Sequence, residues 1–152
     1  MIRIHVEPFQ VIYENQHLLE EHWDEVATKD NGRSLKVDWD SFFLFEKMGK
    51  LVTIVAREED EVIGYAVFIV MNQLHAFDSM AAHNDALFIK KEYRGSKAGY
   101  KLIKESERIL GEVYPNILML WHVKPALDFS PLLKKLGYSE VDIIYGKNIK
   151  WE

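Results

Sequence analysis

The 152-residue chain contains no cysteine, and this absence limits the chemistry that it can perform. Without thiols the protein has no disulfides, no thiolate metal ligands and no cysteine nucleophile. No run of 18 apolar residues is present, so we expect no membrane-spanning helix and no membrane partner. The first six residues lack the charged and apolar regions of a signal peptide, which predicts a cytoplasmic protein.

An excess of positive charge is also missing. The formal net charge is −5, and this argues against a nucleic-acid partner because phosphate backbones are bound by clustered Lys and Arg. A cationic amine is a more compatible partner. Hydrophobic residues make up 48% of the chain and charged residues 28%, as in ordinary globular proteins. The length predicts a single domain over residues 1–152.

The first third of the chain reads as one strand and two helices. Residues 2–6 alternate between apolar and polar, which predicts a strand that ends before Pro8. Helical spacing over residues 10–27 predicts one surface helix, followed by a loop over 29–34. Its acidic residues are assigned to the solvated face: Glu20, Glu21, Asp24 and Glu25. Asp38 is the predicted N-cap of a second helix that runs to Met48, with Gly49 at its end.

The aromatic residues of the second helix allow two interpretations. Trp39, Phe42, Phe43 and Phe45 cannot all face one core, so some would line a cleft or form a homodimer contact, and the others would pack inside.

The middle of the chain reads as a hairpin. Residues 51–56 and 62–70 are β-branched runs joined by an acidic turn. Gly64 inside the second run indicates a bulge or a close backbone approach. Residues 71–84 are predicted to be a polar connection, and this connection carries His75 and His83.

A strand, a glycine-containing loop and a helix then follow in order. The apolar run 86–89 predicts a buried strand, and residues 98–113 predict a helix whose apolar face includes Leu102, Leu110 and Val113. The N–H groups of the first helical turn have no partners in the helix, so the loop before it predicts an anion site. The glycine spacing excludes a Walker loop and a dinucleotide fingerprint. Beyond this helix we expect a strand over 117–123, a helix over 130–136 and one or two short strands over 141–151.

Two short motifs resemble those of the GNAT N-acetyltransferase superfamily. The loop 94–99 resembles its acetyl-coenzyme A motif, Arg/Gln-x-x-Gly-x-Gly/Ala, and residues 132–138 resemble its Phe-Tyr-Glu-Lys-x-Gly-Phe. The predicted element order, β-α-α-β-β-β-α-β-α-β, is also similar to that of small single-domain bacterial and bacteriophage members. The resemblance implies an α/β fold of the α+β type, with a mixed, mostly antiparallel twisted sheet of about six or seven strands flanked by helices.

The chain departs from the family motifs at three positions. Lys91 replaces the proline that usually follows the strand, and Lys97 replaces the inner glycine of the loop. Lys97 keeps its backbone N–H, so the pyrophosphate cradle is expected to survive if the φ angle there is negative. Leu133 stands where many members have a tyrosine that acts as general acid, so a different proton donor, or solvent, must return the proton to the thiolate.

The resemblance implies an N-acetyltransferase that moves an acetyl group from acetyl-CoA to a primary amine of a small molecule or protein by direct attack in a ternary complex. A GNAT-shaped binding module without turnover is the alternative. Backbone groups near the strand would bind the pantetheine arm, namely those of Leu87, Phe88 and Ile89. The pyrophosphate would be bound by Arg94, Gly95, Ser96, Lys97, Ala98 and Gly99.

A base near the acceptor amine completes the expected site. Strand alternation places His83, Asp85, Leu87 and Ile89 on one face, so Asp85 and His83 are candidate catalytic residues, together with His75. His122 is either a core imidazole or a pocket residue. The spacing of His75, His83 and Asp85 matches no recognised zinc pattern, and we expect no metal.

Overall fold

The computed structural model describes residues 1–26 and 34–150. Within these residues the chain forms five strands, five α-helices and one short 3-10 turn, Lys91–Tyr93. The strands are β1 (Ile2–Val6), β2 (Leu51–Glu58), β3 (Glu61–Gln73), β4 (Ala76–Ile89) and β5 (Leu118–Leu120). The helices are α1 (Gln10–Glu14), α2 (Gln16–Val26), α3 (Trp39–Lys47), α4 (Ala98–Val113) and α5 (Ser130–Lys135).

The strands form one sheet in the order β1-β2-β3-β4-β5. The pairs from β1 to β4 are antiparallel, and β5 runs parallel to β4. A mixed, mostly antiparallel sheet was predicted, and the structure shows one. The predicted six or seven strands are not seen among the described residues, which form five, because residues 141–150 join no strand. Among the described residues, no helix is long and apolar enough to cross a membrane.

The predicted polar connection over residues 71–84 is also wrong. These residues are the outer ends of β3 and β4, which meet at a tight turn at Leu74 and His75. The ladder between two strands is made of main-chain hydrogen bonds, so it continues through polar and small residues that the apolar pattern does not mark. The outer part of the hairpin lies largely in solvent, with Leu74 89% and Phe77 81% exposed.

The predicted first helix is divided in two. It breaks at Asn15, whose side-chain amide donates to the carbonyl of Val11 at 2.8 Å. An Asn side chain competes with helical hydrogen bonds in this way, and propensity alone does not place the break. Ile12 and Leu18 are the buried positions of the two pieces. Ala27 and most of the predicted loop lie outside the described residues.

The second predicted helix is confirmed as α3. The Asp38 carboxylate accepts from the N–H of Ser41 at 3.1 Å, and Gly49 has a φ of +72° after the helix. Its first three aromatic rings gather around Phe9, with Phe42 stacked at 4.8 Å between ring centres. Trp39 and Phe43 lie at 5.9 and 5.4 Å from the same ring. Core packing therefore accounts for these three rings, and Phe45 remains 37% exposed.

Apolar side chains cover both faces of the sheet. One core lies under α1–α3 and includes Phe9, Leu18 and Tyr65. The other lies under α4, where Phe68 of β3 meets Leu102. The helix over residues 98–113 is confirmed, but Val113 in its last turn is 63% exposed and does not belong to the apolar face.

Gly64 allows β3 and β4 to approach closely. A Cβ at this position would lie 2.5 Å from the carbonyl oxygen of Phe88 and 2.6 Å from Cδ1 of Ile89. The register of β2 and β3 also shifts here, between Ala56 and Arg57. The predicted bulge and the predicted close approach are both present.

Candidate functional site

β4 contains a bulge at Asp85. Asn84 pairs with Phe68, and Ala86 pairs with the next residue back along β3, Val67, so Asp85 has no partner in the ladder. The side chain of Asn84 is buried and donates to the carbonyls of Val67 at 3.3 Å and Ala86 at 2.8 Å. These two bonds supply donors to backbone carbonyls at the bulge, and they fix its geometry.

The bulge changes which residues share a face. His83 pairs with Ile69, which packs against the core under α1–α3. Leu87 and Ile89 instead belong to the core under α4. The prediction that His83, Asp85, Leu87 and Ile89 share one face is therefore wrong, because one extra residue shifts the alternation by one position.

Beyond the bulge, one edge of β4 is open. β5 pairs with β4 only at Ala81, Ala82 and His83, and in the described part of the chain no other strand pairs along that edge. The N–H of Lys90 bonds to the carbonyl of Ile63 on β3 at 2.8 Å. Since the direction of peptide groups alternates along a strand, those of Leu87 and Ile89 are directed to the open edge. Those of Phe88 lie on the β3 side.

The loop before α4 presents free N–H groups. The first helical bond runs from the N–H of Lys101 to the carbonyl of Lys97 at 2.9 Å. The N–H groups of Ala98, Gly99 and Tyr100 therefore have no partner within the helix. This end of a 16-residue helix favours an anion, because its dipole places partial positive charge there.

Two residues of this loop have positive φ angles. Gly95 has a φ of +102° and Lys97 a φ of +66°. A negative φ at Lys97 was the condition set for the pyrophosphate cradle to survive, and this condition is not met. Lys97 occupies the left-handed region that glycine adopts at little cost, so the backbone follows a path suited to the family's glycine although the side chain differs.

A cleft of about 660 Å³ opens in front of the loop. It is lined by Ile89, Arg94, Gly95, Lys97, Gly99, Tyr100, Phe129 and Leu132. The cleft therefore joins the end of β4, the loop and the region of α5. Ser96 lies in the same loop with its hydroxyl donating to the carbonyl of Tyr93 at 2.6 Å, and Ala98 is fully buried. The volume is in the range of small-molecule sites.

Arg94 is fixed by contacts on several sides. Its two terminal nitrogens contact the carboxylate of Glu25 at 2.7 and 2.9 Å, and its Nε donates to the carbonyl of Ile89 at 2.7 Å. The guanidinium also lies 5.5 Å from the centre of the Phe88 ring. The prediction that Glu25 belongs to a solvated face is wrong, since its side chain is 13% exposed. The hydrogen bond from Arg94 holds the pKa of Glu25 below its usual range.

His22 and Tyr65 form a second polar contact beside Arg94. Nδ1 of His22 lies 3.2 Å from the hydroxyl of Tyr65, and the imidazole lies 5.3 Å from the ring of Phe88. Burial lowers the pKa of His22 to about 4 and raises the pKa of Tyr65. Neither residue was predicted to belong to the site, although His22 lies on the same helix as Glu25. The three-residue spacing of His22 and Glu25 puts both on one helix face, and this spacing could have indicated that His22 lies beside Arg94.

The structure brings His83 and Asp85 together with His122. The two imidazole rings lie 6.2 Å apart. Asp85 is accessible to solvent at the bulge, but burial by the surrounding protein raises the pKa of its carboxyl, and the charge of His122 opposes this. Burial lowers the pKa of His122, as do the charges of His83 and Lys124. His122 is exposed, so its interpretation as a core imidazole is wrong.

His75 is not part of this cluster. It lies at the tip of the β3–β4 hairpin, eight positions from His83, which is about 26 Å along a strand. Among the described residues no three His, Asp or Glu side chains gather as a metal site.

Leu133 of α5 is buried and carries no proton-transfer group. A tyrosine is present five residues later, where the hydroxyl of Tyr138 donates to Glu107 at 2.8 Å. Burial raises the pKa of Tyr138, which makes its hydroxyl a weaker acid than that of an exposed tyrosine.

The comparisons with known proteins decide the family. The acetyltransferase (GNAT) family profile matches residues 10–138. The chain belongs to the GNAT acetyltransferase family. Its sequence gives no significant match to curated proteins.

Solved structures of GNAT acetyltransferases have the same fold. One is the aminoglycoside acetyltransferase meta-AAC0020 from an uncultured soil metagenomic sample in complex with sisomicin, with a TM-score of 0.72, 13% identity and coverage of 98% of this chain and 97% of that chain. A predicted acetyltransferase from Clostridium acetobutylicum with acetyl-CoA has a TM-score of 0.69, 15% identity and coverage of 97% and 96%. A ribosomal-protein-alanine N-acetyltransferase from Brucella melitensis biovar Abortus 2308 has a TM-score of 0.67, 12% identity and full coverage of both chains, 100%. At these identities the likeness shows the fold of this GNAT domain.

Proposed function

We propose that residues 1–152 form a single domain that transfers an acetyl group from acetyl-CoA to a primary amine of a small molecule or protein. One observation carries the proposal. The open edge of β4 leads directly into the free N–H groups of Ala98 and Gly99, and both adjoin one cleft. An extended chain with amide groups and a pyrophosphate at its end needs these two features in this order.

The residues present suit the two parts of acetyl-CoA. The pantetheine arm carries amides, so it would add to the open edge as a short strand through the peptide groups of Leu87 and Ile89. The pyrophosphate would accept hydrogen bonds from the loop before α4. Arg94 would act on this loop by positioning it, because Glu25 and the Ile89 carbonyl already occupy its guanidinium.

The proposed reaction needs no covalent enzyme intermediate. The neutral amine nitrogen attacks the thioester carbonyl carbon, the bond from carbon to sulfur breaks, and the thiolate leaves. An amine is mainly protonated at neutral pH, so a base must take its proton before attack. Asp85 and His83 are the proposed bases, directly or through one water, and the imidazole of His122 lies 6.2 Å from that of His83. The nitrogen gives up one proton as the amide forms, and a proton from solvent would neutralise the thiolate.

The charges around the site favour a cationic acceptor. Burial raises the pKa of the Tyr65 hydroxyl most, and the charges of Asp85, Glu21 and Glu25 raise it further. Arg94 compensates the charge of Glu25, so Asp85 and Glu21 are the carboxylates left to attract a cation. A group of carboxylates attracts an ammonium substrate and raises its local concentration. The sisomicin complex and the alanine N-acetyltransferase among the similar structures support an amine, without choosing between a small molecule and a protein.

A GNAT-shaped binding module without turnover is the second candidate. The observation that favours it is the buried Leu133 at the position of the family's tyrosine. The two functions differ in a two-part experiment. The melting temperature is measured with and without acetyl-CoA, and release of free thiol is followed with a panel of primary amines. Stabilisation with thiol release supports the enzyme, stabilisation alone supports the binding module, and the absence of both contradicts the proposed site.

A further inference from the structure

Asn84 is a polar residue at a position of β4 where an apolar one would be expected. It is 2% exposed, and it pairs with Phe68, whose ring lies in the core under α4. Asn has a low preference for strands, and burying an amide group is costly unless its hydrogen bonds are made. Positions that break the local pattern in this way are expected at functional sites. Asn84 therefore needs an explanation beyond the packing of the core.

Both N–H groups of the Asn84 side chain are used at the bulge. Nδ2 donates to the carbonyl of Val67 on β3 at 3.3 Å and to that of Ala86 at 2.8 Å. The first bond connects two strands. The second runs from residue 84 to residue 86, so it spans Asp85 and closes a small ring of main chain around it. We call these two bonds the Asn84 clamp.

The clamp acts on a residue that little else holds. Asp85 has no partner in the ladder, and its carboxylate makes no hydrogen bond or ion pair with another described residue. A bulge directs a side chain where a regular strand would not. The position of the Asp85 carboxylate is therefore set by the main chain of the bulge, and through it by Asn84.

Titratable groups approach the Asp85 carboxylate from the neighbouring strands. Burial raises the pKa of Asp85, and the charge of His122, after β5, opposes this. Burial also raises the pKa of Tyr65 on β3, and the charge of Asp85 raises it further. His83 lies on β4 itself, with its imidazole 6.2 Å from that of His122. Moving the Asp85 carboxylate among these groups changes its pKa, so this pKa reports its position.

We propose that Asn84 is a positioning residue of the acetyl-transfer site, whose clamp holds the bulge and sets the position of the Asp85 carboxylate. The role in catalysis rests on the proposed function, since it requires Asp85 to be the base. The clamp itself is a property of the protein without ligands. The two parts are therefore measured separately.

Three variants of the full chain test the clamp. Asn84→Leu removes both bonds and keeps a side chain of similar size. Asn84→Ser is milder, because its single hydroxyl can replace one of the two donated bonds. Ser106→Ala is the matched control. Ser106 is also buried, and its hydroxyl donates to a main-chain carbonyl, that of Leu102 at 2.7 Å, but both residues lie within α4.

The first measurement uses the protein without ligand. NMR contacts between main-chain protons report the ladder, in which Asn84 faces Phe68 and Ala86 faces Val67, and the carboxyl carbon of Asp85 reports its pKa. In Asn84→Leu these contacts should weaken or shift, and the pKa of Asp85 should fall towards that of an ordinary aspartate. Asn84→Ser should lie between Asn84→Leu and the wild type, and the control should match the wild type.

Unchanged contacts and an unchanged Asp85 pKa in Asn84→Leu would overturn the proposal. If that variant does not fold, the same result in Asn84→Ser overturns it.

The second measurement follows acetyl transfer. In Asn84→Leu, kcat should fall by up to about 100-fold, the loss expected from a displacement of about 1 Å, and the KM for acetyl-CoA should change less. The acidic limb of the pH profile should move with the measured pKa of Asp85. A purely structural defect lowers the melting temperature and leaves that limb in place, which is the result expected for Ser106→Ala.

The outcomes separate the clamp from the reaction. A limb that stays in place while the pKa of Asp85 moves would overturn the catalytic role of Asn84. If the wild type shows no turnover but the NMR measurement confirms the clamp, the proposed function fails and the clamp stands.

Discussion

Arg94 joins Glu25 of α2 to the carbonyl of Ile89 at the end of β4. The carboxylate lies 2.7 and 2.9 Å from the two terminal nitrogens, and Nε lies 2.7 Å from the Ile89 oxygen. The two charged residues are 69 positions apart in the chain. A bidentate pair fixes orientation as well as distance. The entrance to the proposed anion-binding loop is therefore positioned by a helix on the other side of the sheet.

Glu25→Gln should destabilise the fold and loosen this loop. The pair is only partly exposed, so leaving Arg94 without its counter-charge should lower the free energy of unfolding by about 1–3 kcal/mol. If Arg94 positions the loop, the KM for acetyl-CoA should rise more than kcat falls. Asp24→Asn on the same helix is the control, and urea unfolding with initial rates gives both readouts. Unchanged stability and KM would contradict the role of the pair.

The same pair predicts a pH dependence. Arg94 lowers the pKa of Glu25 from its usual 4.5, so the stabilisation is complete above pH 4.5 and is lost as the pH falls through the lower value in the folded protein. The difference in unfolding free energy between the wild type and Glu25→Gln should be largest near pH 7 and shrink below about pH 4.5. A difference that is constant down to pH 3 would argue that packing, not charge, is lost.

Lys97→Gly should stabilise the protein slightly. A non-glycine residue in the left-handed region destabilises the folded state by about 1–2 kcal/mol. Glycine removes this strain, but its greater freedom in the unfolded chain lowers the gain by about 0.5–1 kcal/mol. The net gain should be about 0.5–1 kcal/mol, measured by thermal unfolding. Lys97→Ala keeps the strain and should show no gain. Acetyl-CoA affinity should survive in both variants, since the backbone N–H groups remain, and loss of binding in Lys97→Gly would assign a role to the side chain.

Gly64→Ala should be strongly destabilising. The new Cβ would lie 2.5 Å from a backbone oxygen of β4, which must move to make room. We expect a loss of about 1–3 kcal/mol in unfolding free energy. Gly111→Ala on α4 is the matched control, because nothing lies within 4 Å of its Cβ. That change should stabilise the helix by about 0.5–1 kcal/mol. Equal effects at the two glycines would show that the close approach does not exist.

Asp85→Asn tests the proposed base. If Asp85 takes the amine proton, kcat should fall by roughly 10²–10⁴-fold with acetyl-CoA affinity retained. Burial raises the pKa of this carboxyl, so the acidic limb of the pH profile should lie above that of an ordinary Asp and should move or vanish in the variant. His83→Gln is tested in parallel. Full kcat in both variants at every pH would leave solvent or His122 as the proton acceptor.

His22 should make the protein less stable in mild acid. The pKa of His22 is about 4 in the folded protein, where the imidazole is buried, and 6.5 for an unburied histidine. The unfolded chain therefore binds the proton more tightly. Stability from the neutral imidazole is complete above pH 6.5 and falls as the pH drops towards 4, by up to about 3 kcal/mol. His22→Gln should flatten this slope in urea unfolding between pH 7 and 4.5. His17→Gln on the exposed side of α2 is the control, and an unchanged slope in the His22 variant would refute the assignment.

Local patterns predicted much of the fold. The cap at Asp38, the strand Ile2–Val6 and the close approach at Gly64 all depend on neighbouring residues in the chain, and the structure confirms them. The outer hairpin was missed because its residues carry no apolar alternation, while main-chain hydrogen bonds hold it together. The one or two short strands predicted over residues 141–151 do not form within the described residues, because an apolar-rich segment does not supply its own pairing partner.

The sequence indicates those site residues that are neighbours in the chain, and it misses those that come from separate elements. Arg94, Gly95 and Gly99 were predicted from one continuous loop, and all three line the cleft. Their binding of a pyrophosphate stays a prediction. Glu25, His22 and Tyr65 come from other elements, and only the packing of α2 on the sheet brings them together. The face of His83 was assigned incorrectly, since a bulge leaves no mark in the pattern of polar and apolar residues.

The open edge of β4 begins where β4 has one extra residue. β5 stops pairing with β4 at His83, two residues before the bulge at Asp85. Removing Asp85 would leave Asn84 opposite Phe68 and Ala86 opposite Val67, so every other residue of β4 would keep its neighbour and its face. The strand would become straight and β5 could continue along it past Leu120. We expect both hydrophobic cores to keep their residues in such a deletion, and β5 to pair with β4 beside Leu87. One inserted residue in β4 therefore distinguishes a sheet with an open edge, to which an extended ligand can add, from a sheet in which that edge is paired.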